Sequence, residues 1–167
     1  MEIFKRHFLK EKEAKQLLLE IKKQIKINTQ KIVGANIRIE FAESKIATIF
    51  LINNKPLFAK KDDCIFPTLG FDDITRFLPQ IVVNMGAVPY VCNGADVMAP
   101  GVVAIKGNFK KDDFIIIVDE QNQKTLAIGV ALYDVEVMKN MKNGKLVKNI
   151  HFVGDKFWHL LKKLSAP

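Results

Sequence analysis

Long apolar runs are missing from this 167-residue chain. No apolar segment approaches the roughly 18 residues that a membrane-spanning helix needs, so we expect no membrane partner. Residues 1–15, MEIFKRHFLKEKEAK, have no apolar segment followed by small residues at a cleavage site. This absence argues against a secretory signal and predicts a cytoplasmic protein.

Side chains suited to metal binding or catalysis are also few. Cys64 and Cys92 match no paired metal-ligand spacing, and the three histidines form no zinc pattern with them. Without a secretory signal, the two cysteines are expected to be reduced core thiols. The only serines, Ser44 and Ser165, lie outside any G-x-S-x-G sequence, and no glycine-rich nucleotide loop is present. We therefore expect no enzyme activity, no metal and no other cofactor.

Positive charge exceeds negative charge, with 26 Lys and Arg against 18 Asp and Glu and a formal net charge of +8 at pH 7. This excess favours an anionic partner, either nucleic acid or an acidic membrane surface. A lysine-rich composition of the source proteome would produce the same excess. Charge alone therefore does not identify the partner.

The first half of the chain predicts a small α/β domain. Residues 9–27 carry apolar side chains at three- and four-residue steps, which is typical of an amphipathic helix. Segments 37–41, 46–52 and 56–60 predict three strands of a meander, with Asn53-Asn54 as a turn. Asp72 is the expected N-cap of a short helix that ends before Pro79.

After Pro79 the pattern changes to short strands separated by frequent turns. The predicted strands are 90–92, 102–105, 114–120, 125–133 and 149–153, with a short helix capped by Asp134. Such a pattern is typical of a small barrel. The predicted fold class is therefore α+β, with domains at 1–85 and 86–167.

Residues 93–102, NGADVMAPGV, turn the backbone twice between two apolar segments. Gly94 and Gly101 permit backbone angles that a β-carbon disfavours, and Pro100 ends any helix that begins at Gly94. The pattern predicts a strand, a very short helix at 95–99 and another strand. Exposed N–H groups at such a corner suit a phosphate or a base edge, although most corners of this kind are structural.

Followed by AIGVALY at 127–133, this motif resembles the PUA domain of pseudouridine synthases and archaeosine transglycosylases. PTLGF at 67–71, FLPQIVVNMGAVPYV at 77–91 and NIHFVGDKFWHL at 149–160 resemble the malignant T-cell amplified (MCT) family. Members of that family pair an N-terminal domain with a C-terminal PUA domain and resemble the front half of ligatin. The resemblance covers essentially the whole chain. It implies a PUA β-pseudobarrel that binds structured RNA, tRNA or rRNA, without catalysis.

The family resemblance also implies a place in translation. Eukaryotic members work with density-regulated protein at the small ribosomal subunit, in initiation, reinitiation and recycling. For this chain the resemblance implies tRNA binding at or near that subunit. GNFKKDDFIIIV at 107–118 has the arrangement of ordinary PUA domains, from which eukaryotic MCT proteins diverge, so a density-regulated-protein-like partner is a weaker implication. The lysine-rich sequence indicates an archaeal type. Two other functions stay open, an accessory role in tRNA or rRNA modification and a protein–protein adaptor without strong RNA binding.

The candidate RNA-binding residues combine the motif with nearby cations. They are Gly94, Ala95, Asp96 and Gly101 of the motif, Lys106, Lys110 and Lys111, and Lys142, Lys145 and His151. Lysine contacts to phosphate would supply affinity with a steep salt dependence. Structural readings compete with each assignment, because the glycines can serve geometry alone, Asp96 can cap the short helix, and lysines at turns are commonly only solvated. Met98 and Trp158 are expected in the core.

Overall fold

The computed structural model describes residues 3–35 and 37–165, and of Phe4 only the backbone. The chain forms two compact units, Met1–Phe71 with His159–Pro167, and Asp72–Trp158. Within residues 3–35 and 37–165, no helix is long and apolar enough to cross a membrane.

The first unit contains a five-stranded antiparallel sheet, two helices that follow its first strand, and residues 159–165 of the terminal helix. In chain order its elements are β1 (Ile3–Phe8), α1 (Glu11–Ile25), α2 (Thr29–Val33), β2 (Ile39–Ser44), β3 (Thr48–Ile52), β4 (Lys55–Lys61) and β5 (Cys64–Pro67). The strands pair in the order β1-β2-β3-β4-β5. The predicted helix and the three predicted strands are confirmed. Asn53 and Asn54 both have positive φ, 52° and 70°, as a tight hairpin between β3 and β4 requires.

Helix α1 buries the apolar stripe that its sequence predicts, namely Ala14, Leu17, Leu18, Ile21 and Ile25. Gln24 at the end of this stripe ties the helix to β5. Its Oε1 accepts a hydrogen bond from Ile65 N at 2.8 Å, and its Nε2 donates to Asp63 O at 3.3 Å. The amide of Gln24 thus fixes the position of the helix along the strand.

The second unit is built on a six-stranded sheet. Its elements are β6 (Gln80–Val83), α3 (Val88–Val91), β7 (Val97–Met98), β8 (Val102–Lys106), β9 (Phe114–Asp119), β10 (Thr125–Ala131), α4 (Val135–Met138) and β11 (Lys145–Phe152), and the chain ends with α5 (Lys156–Ser165). The strand order is β7-β11-β10-β9-β6-β8, in which only β6 and β9 run parallel among the described pairs. All six residues of β9 are buried. The α+β fold class is confirmed.

The hairpin between β9 and β10 is closed by a carboxylate that the sequence analysis did not single out. Asp119 Oδ1 accepts from Asn122 N at 2.6 Å, and Oδ2 accepts from Lys124 N at 3.1 Å. The hydrogen bond from Asn122, helped by that from Lys124, lowers the pKa of Asp119 against the opposing effect of burial. The turn between β9 and β10 therefore forms around a buried anion.

Several local predictions are wrong. Residues 90–92 are predicted as a strand, yet Val88–Val91 form α3, with Pro89 in the first turn where it costs no hydrogen bond. The predicted helix at 95–99 is instead β7 followed by a 3₁₀ turn at Ala99–Gly101. Asp72 caps no helix, because only a 3₁₀ turn at Ile74–Arg76 follows it.

Strand alternation explains another difference. In the two-residue β7, Val97 faces the core and is 2% exposed, so the next side chain, Met98, is 44% exposed rather than buried.

Both cysteines are free, and Cys64 is exposed rather than in the core. Partial burial raises the pKa of both thiols. The boundary between residues 85 and 86 stays a prediction; strand β6, which precedes it, pairs with β8 and β9.

Candidate functional site

The loop between α3 and β7 contains the motif that stood out in the sequence. Ala95 N donates to Tyr90 O at 2.9 Å, and Gly94 N donates to Val91 O at 3.1 Å, so the chain folds back on the end of α3. Gly94 has φ of +95°, and a β-carbon on it would lie 3.1 Å from Cε1 of Phe152. Both the positive φ and the close contact with Phe152 explain why residue 94 is a glycine. We call residues 90–96 the α3–β7 loop.

Asn149 of β11 holds this loop against the sheet. Its Nδ2 donates to Val91 O and to Ala95 O, both at 3.0 Å, and its backbone N donates to Asp96 Oδ1 at 2.9 Å. Its Oδ1 is buried and has no hydrogen-bond partner within the described part of the chain. An unsatisfied buried acceptor costs about 1–3 kcal/mol, so the side chain is committed to the loop at an energetic penalty.

Asp96 links the loop to a lysine. Because no helix begins at Ala95, Asp96 caps nothing; its Oδ2 instead lies 3.4 Å from Lys145 Nζ. The Lys145 side chain is 61% exposed, so its ammonium group is directed by Asp96 yet open to solvent. Lys142 is also exposed, in the segment that leads into β11. The predicted residues Ala95, Asp96 and Lys145 are therefore brought together.

Gly101 has a packing role. Its carbonyl accepts from Asn84 N at 2.9 Å, and a β-carbon on Gly101 would lie 3.2 Å from Cβ of Ala87. The glycine therefore lets the 3₁₀ turn approach the segment that precedes α3.

Lys106, Lys110 and Lys111 are exposed, at the end of β8 and in the turn before β9. Asp113 Oδ2 accepts from Lys110 N at 2.9 Å, and Asp134 Oδ1 accepts from Lys111 N at 2.8 Å. These bonds fix the backbone of the turn and leave the lysine side chains directed at solvent. No hydrogen bond or ion pair of the described residues joins these three lysines to the α3–β7 loop.

His151 is fully buried, with 0% of its side chain exposed. Its Nδ1 lies 2.8 Å from Asp155 Oδ2, and its ring packs edge-on against Phe157 at a centroid distance of 5.7 Å. The imidazole itself has no access to solvent. Any effect of His151 on binding must therefore act through the segment that Asp155 holds.

Asp155 organises the turn between β11 and α5. Its carboxylate also accepts from Phe152 N at 2.9 Å and from Trp158 N at 2.7 Å, and Trp158 is half-buried. Burial tends to raise the pKa of Asp155, but the hydrogen bond and charge of His151 and the two N–H groups outweigh burial and lower it. Asp155 lies directly before α5, where an N-cap residue is expected, and the sequence analysis missed this signal.

Tyr90 is another residue that the sequence analysis missed. It lies on α3 and is 70% exposed, although its carbonyl anchors the loop. Because residues 90–92 were predicted as a strand, no exposed position on a helix was expected for the Tyr90 ring.

Two family profiles match the chain. The profile described as "PUA domain" matches residues 79–153, and that described as "Domain of unknown function (DUF1947)" matches residues 5–71. The match to the PUA domain includes the α3–β7 loop and strand β11.

Similar proteins occur in archaea and eukaryotes. An uncharacterized protein of Methanocaldococcus jannaschii is 39% identical over 165 residues, covering 95% of this chain and 98% of that protein. Translation machinery-associated protein 20 of Schizosaccharomyces pombe is 32% identical over 61% of this chain and 59% of its own length. Malignant T-cell-amplified sequence 1 of Rattus norvegicus is 29% identical over 67% of this chain and 64% of its own length. The chain thus spans about three fifths of these two eukaryotic relatives.

Two solved structures share the fold. A hypothetical protein of Pyrococcus horikoshii is 34% identical with a TM-score of 0.79, covering 94% of this chain and 99% of that one. A PUA domain protein of Aeropyrum pernix has a TM-score of 0.83 over 97% of this chain and 93% of its own, at 23% identity. The second likeness shows the fold alone.

Proposed function

Because this chain belongs to the malignant T-cell amplified family of PUA-domain proteins, we propose that it binds tRNA at or near the small ribosomal subunit. The coarser role is RNA binding in translation. The observation that carries it is the PUA domain at residues 79–153 in a chain whose eukaryotic relatives are named for the translation machinery and for malignant T-cell amplification. Initiation, reinitiation or recycling is the proposed stage, and a density-regulated-protein-like partner belongs to the same proposal.

The proposed contact surface has two parts. The first is the α3–β7 loop with Lys142 and Lys145, where exposed ammonium groups lie beside a rigid backbone. The second is the turn that carries Lys110 and Lys111, with Lys106 at the end of β8. Ammonium groups at these positions would contact phosphates and supply affinity with little sequence preference.

In this proposal the protein binds RNA without transforming it. The pair of His151 and Asp155 has the composition of a general-base pair, yet the imidazole is enclosed by protein and offers no surface to a substrate. A general base must come within hydrogen-bond reach of the proton that it removes. The pair therefore supports a structural role better than a catalytic one.

The test is binding of purified total tRNA, compared with an unstructured RNA of equal length, across a salt series. We expect a preference for tRNA that survives near-physiological salt, together with co-sedimentation of the protein with small ribosomal subunits. Equal, weak binding of both RNAs that vanishes with salt would contradict the proposal, because net charge alone would then explain it.

A triple substitution tests the second part of the surface. Replacing Lys106, Lys110 and Lys111 by Ala should weaken tRNA binding, and should reduce the slope of log affinity against log salt by up to about 2–3, since each phosphate contact contributes roughly 0.7–0.9. The matched control removes the same charge from the exposed face of α1, as K12A/K22A/K23A. An equal loss of affinity in both variants would show that only net charge matters.

A further inference from the structure

Tyr90 presents an aromatic ring to solvent beside the proposed RNA surface. The side chain is 70% exposed, compared with 39% for Tyr133, the other tyrosine. Exposing a ring of this size forgoes most of the stabilisation that burial would give. Packing within the unit therefore does not account for the position of the ring.

The backbone beneath Tyr90 is held in place. Its carbonyl accepts hydrogen bonds from Asn93 N at 3.1 Å and from Ala95 N at 2.9 Å. The next carbonyl, that of Val91, accepts from the Asn149 side chain at 3.0 Å. The backbone that carries the ring therefore has little conformational freedom left to lose on binding, which favours binding.

Positive charge lies next to this loop, at the start of β11. Asp96 Oδ2 is 3.4 Å from Lys145 Nζ, while its other oxygen accepts from Asn149 N, so this carboxylate is already engaged by two donors. The Lys145 side chain remains 61% exposed. An open aromatic face on a rigid loop and an ammonium group paired with Asp96 of that loop match a nucleotide, whose base stacks on the ring and whose phosphate contacts the cation.

We propose that Tyr90 stacks on one unpaired nucleobase of the bound RNA while Lys145 contacts an adjacent phosphate. The proposal rests on the proposed RNA binding and specifies the substrate class further. Bases inside an RNA helix are stacked on each other and closed to a side chain, so the ring requires a base in a loop, a bulge or a single-stranded end. The protein thus binds RNA with an unpaired nucleotide better than an uninterrupted duplex.

The test compares two RNA hairpins whose strands are joined by the same non-nucleotide linker, so that neither has loop bases. One is an uninterrupted duplex, and the other carries one bulged nucleotide, 2-aminopurine, whose fluorescence falls when it stacks. With the wild-type protein we expect tighter binding of the hairpin that carries this nucleotide, and quenching of its fluorescence. Y90A should lose about five- to hundredfold in affinity for that hairpin, the range for one base stack, and should abolish the quenching. Y90F keeps the ring and should retain both.

Controls separate this proposal from the proposed function. F8A removes an exposed aromatic ring of the first unit and should leave affinity and quenching unchanged. If Y90A binds both hairpins as the wild type does, the stacking proposal is overturned while the proposed RNA binding stands. The exposed ring would then be assigned to contact with a protein partner. If the wild type binds neither hairpin nor tRNA, both proposals fail.

Discussion

Replacing Asp155 by Ala should destabilise the protein more than any exposed Asp substitution. The carboxylate accepts hydrogen bonds from the buried His151 imidazole and from the backbone N–H groups of Phe152 and Trp158. The loss of an N-cap acceptor costs about 1 kcal/mol, and a buried donor left without its acceptor costs about 1–3 kcal/mol. We therefore expect D155A to lower the free energy of unfolding by about 2–4 kcal/mol at pH 7.

The pH dependence gives a second, independent check. The pKa of Asp155 in the folded protein is lowered, so ionised Asp155 stabilises the fold at pH values above the unfolded pKa of about 3.9. This stabilisation is lost as the pH falls through the folded pKa. D155N keeps the shape of the side chain but cannot ionise. The difference in unfolding free energy between wild type and D155N should therefore shrink below about pH 4.

The assay is urea unfolding followed by circular dichroism and by the fluorescence of Trp158, which is the only tryptophan. Trp158 N is itself a donor to Asp155, so its fluorescence reports the affected turn. D72A is the matched control, because it removes the same charge from an exposed position and should change stability by less than about 0.5 kcal/mol. An unfolding free energy of D155A within that margin of wild type, or a wild type–D155N difference constant from pH 7 to pH 3, would refute the reasoning.

Two further substitutions test the packing of β11. A β-carbon on Gly129 would overlap a side chain and a carbonyl of β11, so G129A should lower the free energy of unfolding by about 1–3 kcal/mol or more in urea. A β-carbon on Gly86 would make only an ordinary contact of 3.4 Å with Asn84 Oδ1, and φ there is ordinary, so G86A should be nearly neutral. Asn149→Ala should lower the free energy of unfolding by only about 1 kcal/mol, because the loss of two hydrogen bonds is partly offset by the removal of a buried unsatisfied oxygen. The same substitution should weaken tRNA binding measurably, because it frees the loop. Equal stability of G129A and G86A, or unchanged tRNA affinity in N149A, would contradict these expectations.

Elements with a clear hydrophobic period could be predicted from the sequence. Helix α1 carries its buried residues at three- and four-residue steps, and β3 and β4 are short runs of consecutive buried residues joined by Asn-Asn at the turn. The same holds for β9 and β10, whose apolar runs match burial on both faces. In each case local side-chain chemistry and tertiary packing favour the same structure.

Short elements were not predictable, because their form depends on partners far along the chain. Val88–Val91 contains two β-branched valines and its sequence predicts a strand. No strand within residues 3–35 and 37–165 pairs with it, and it forms a turn of helix with Pro89 near its start. The terminal helix α5 was missed as well. Its start depends on Asp155, whose carboxylate is held by His151 across the turn after β11.

The site shows the same division between local and distant causes. The glycine at position 94 is visible in the sequence because glycine adopts its φ of +95° without strain and leaves room for Phe152. The side chain that fixes the loop, Asn149, is 54 residues from Ala95, and nothing in either segment indicates that a strand amide will bridge two loop carbonyls. The role of Asp96 follows from the same pairing: once Asn149 N occupies one carboxylate oxygen, the other oxygen is left to direct Lys145. Sequence patterns can therefore locate this loop, whereas its rigidity and the cation beside it arise only from the register in which β7 pairs with β11.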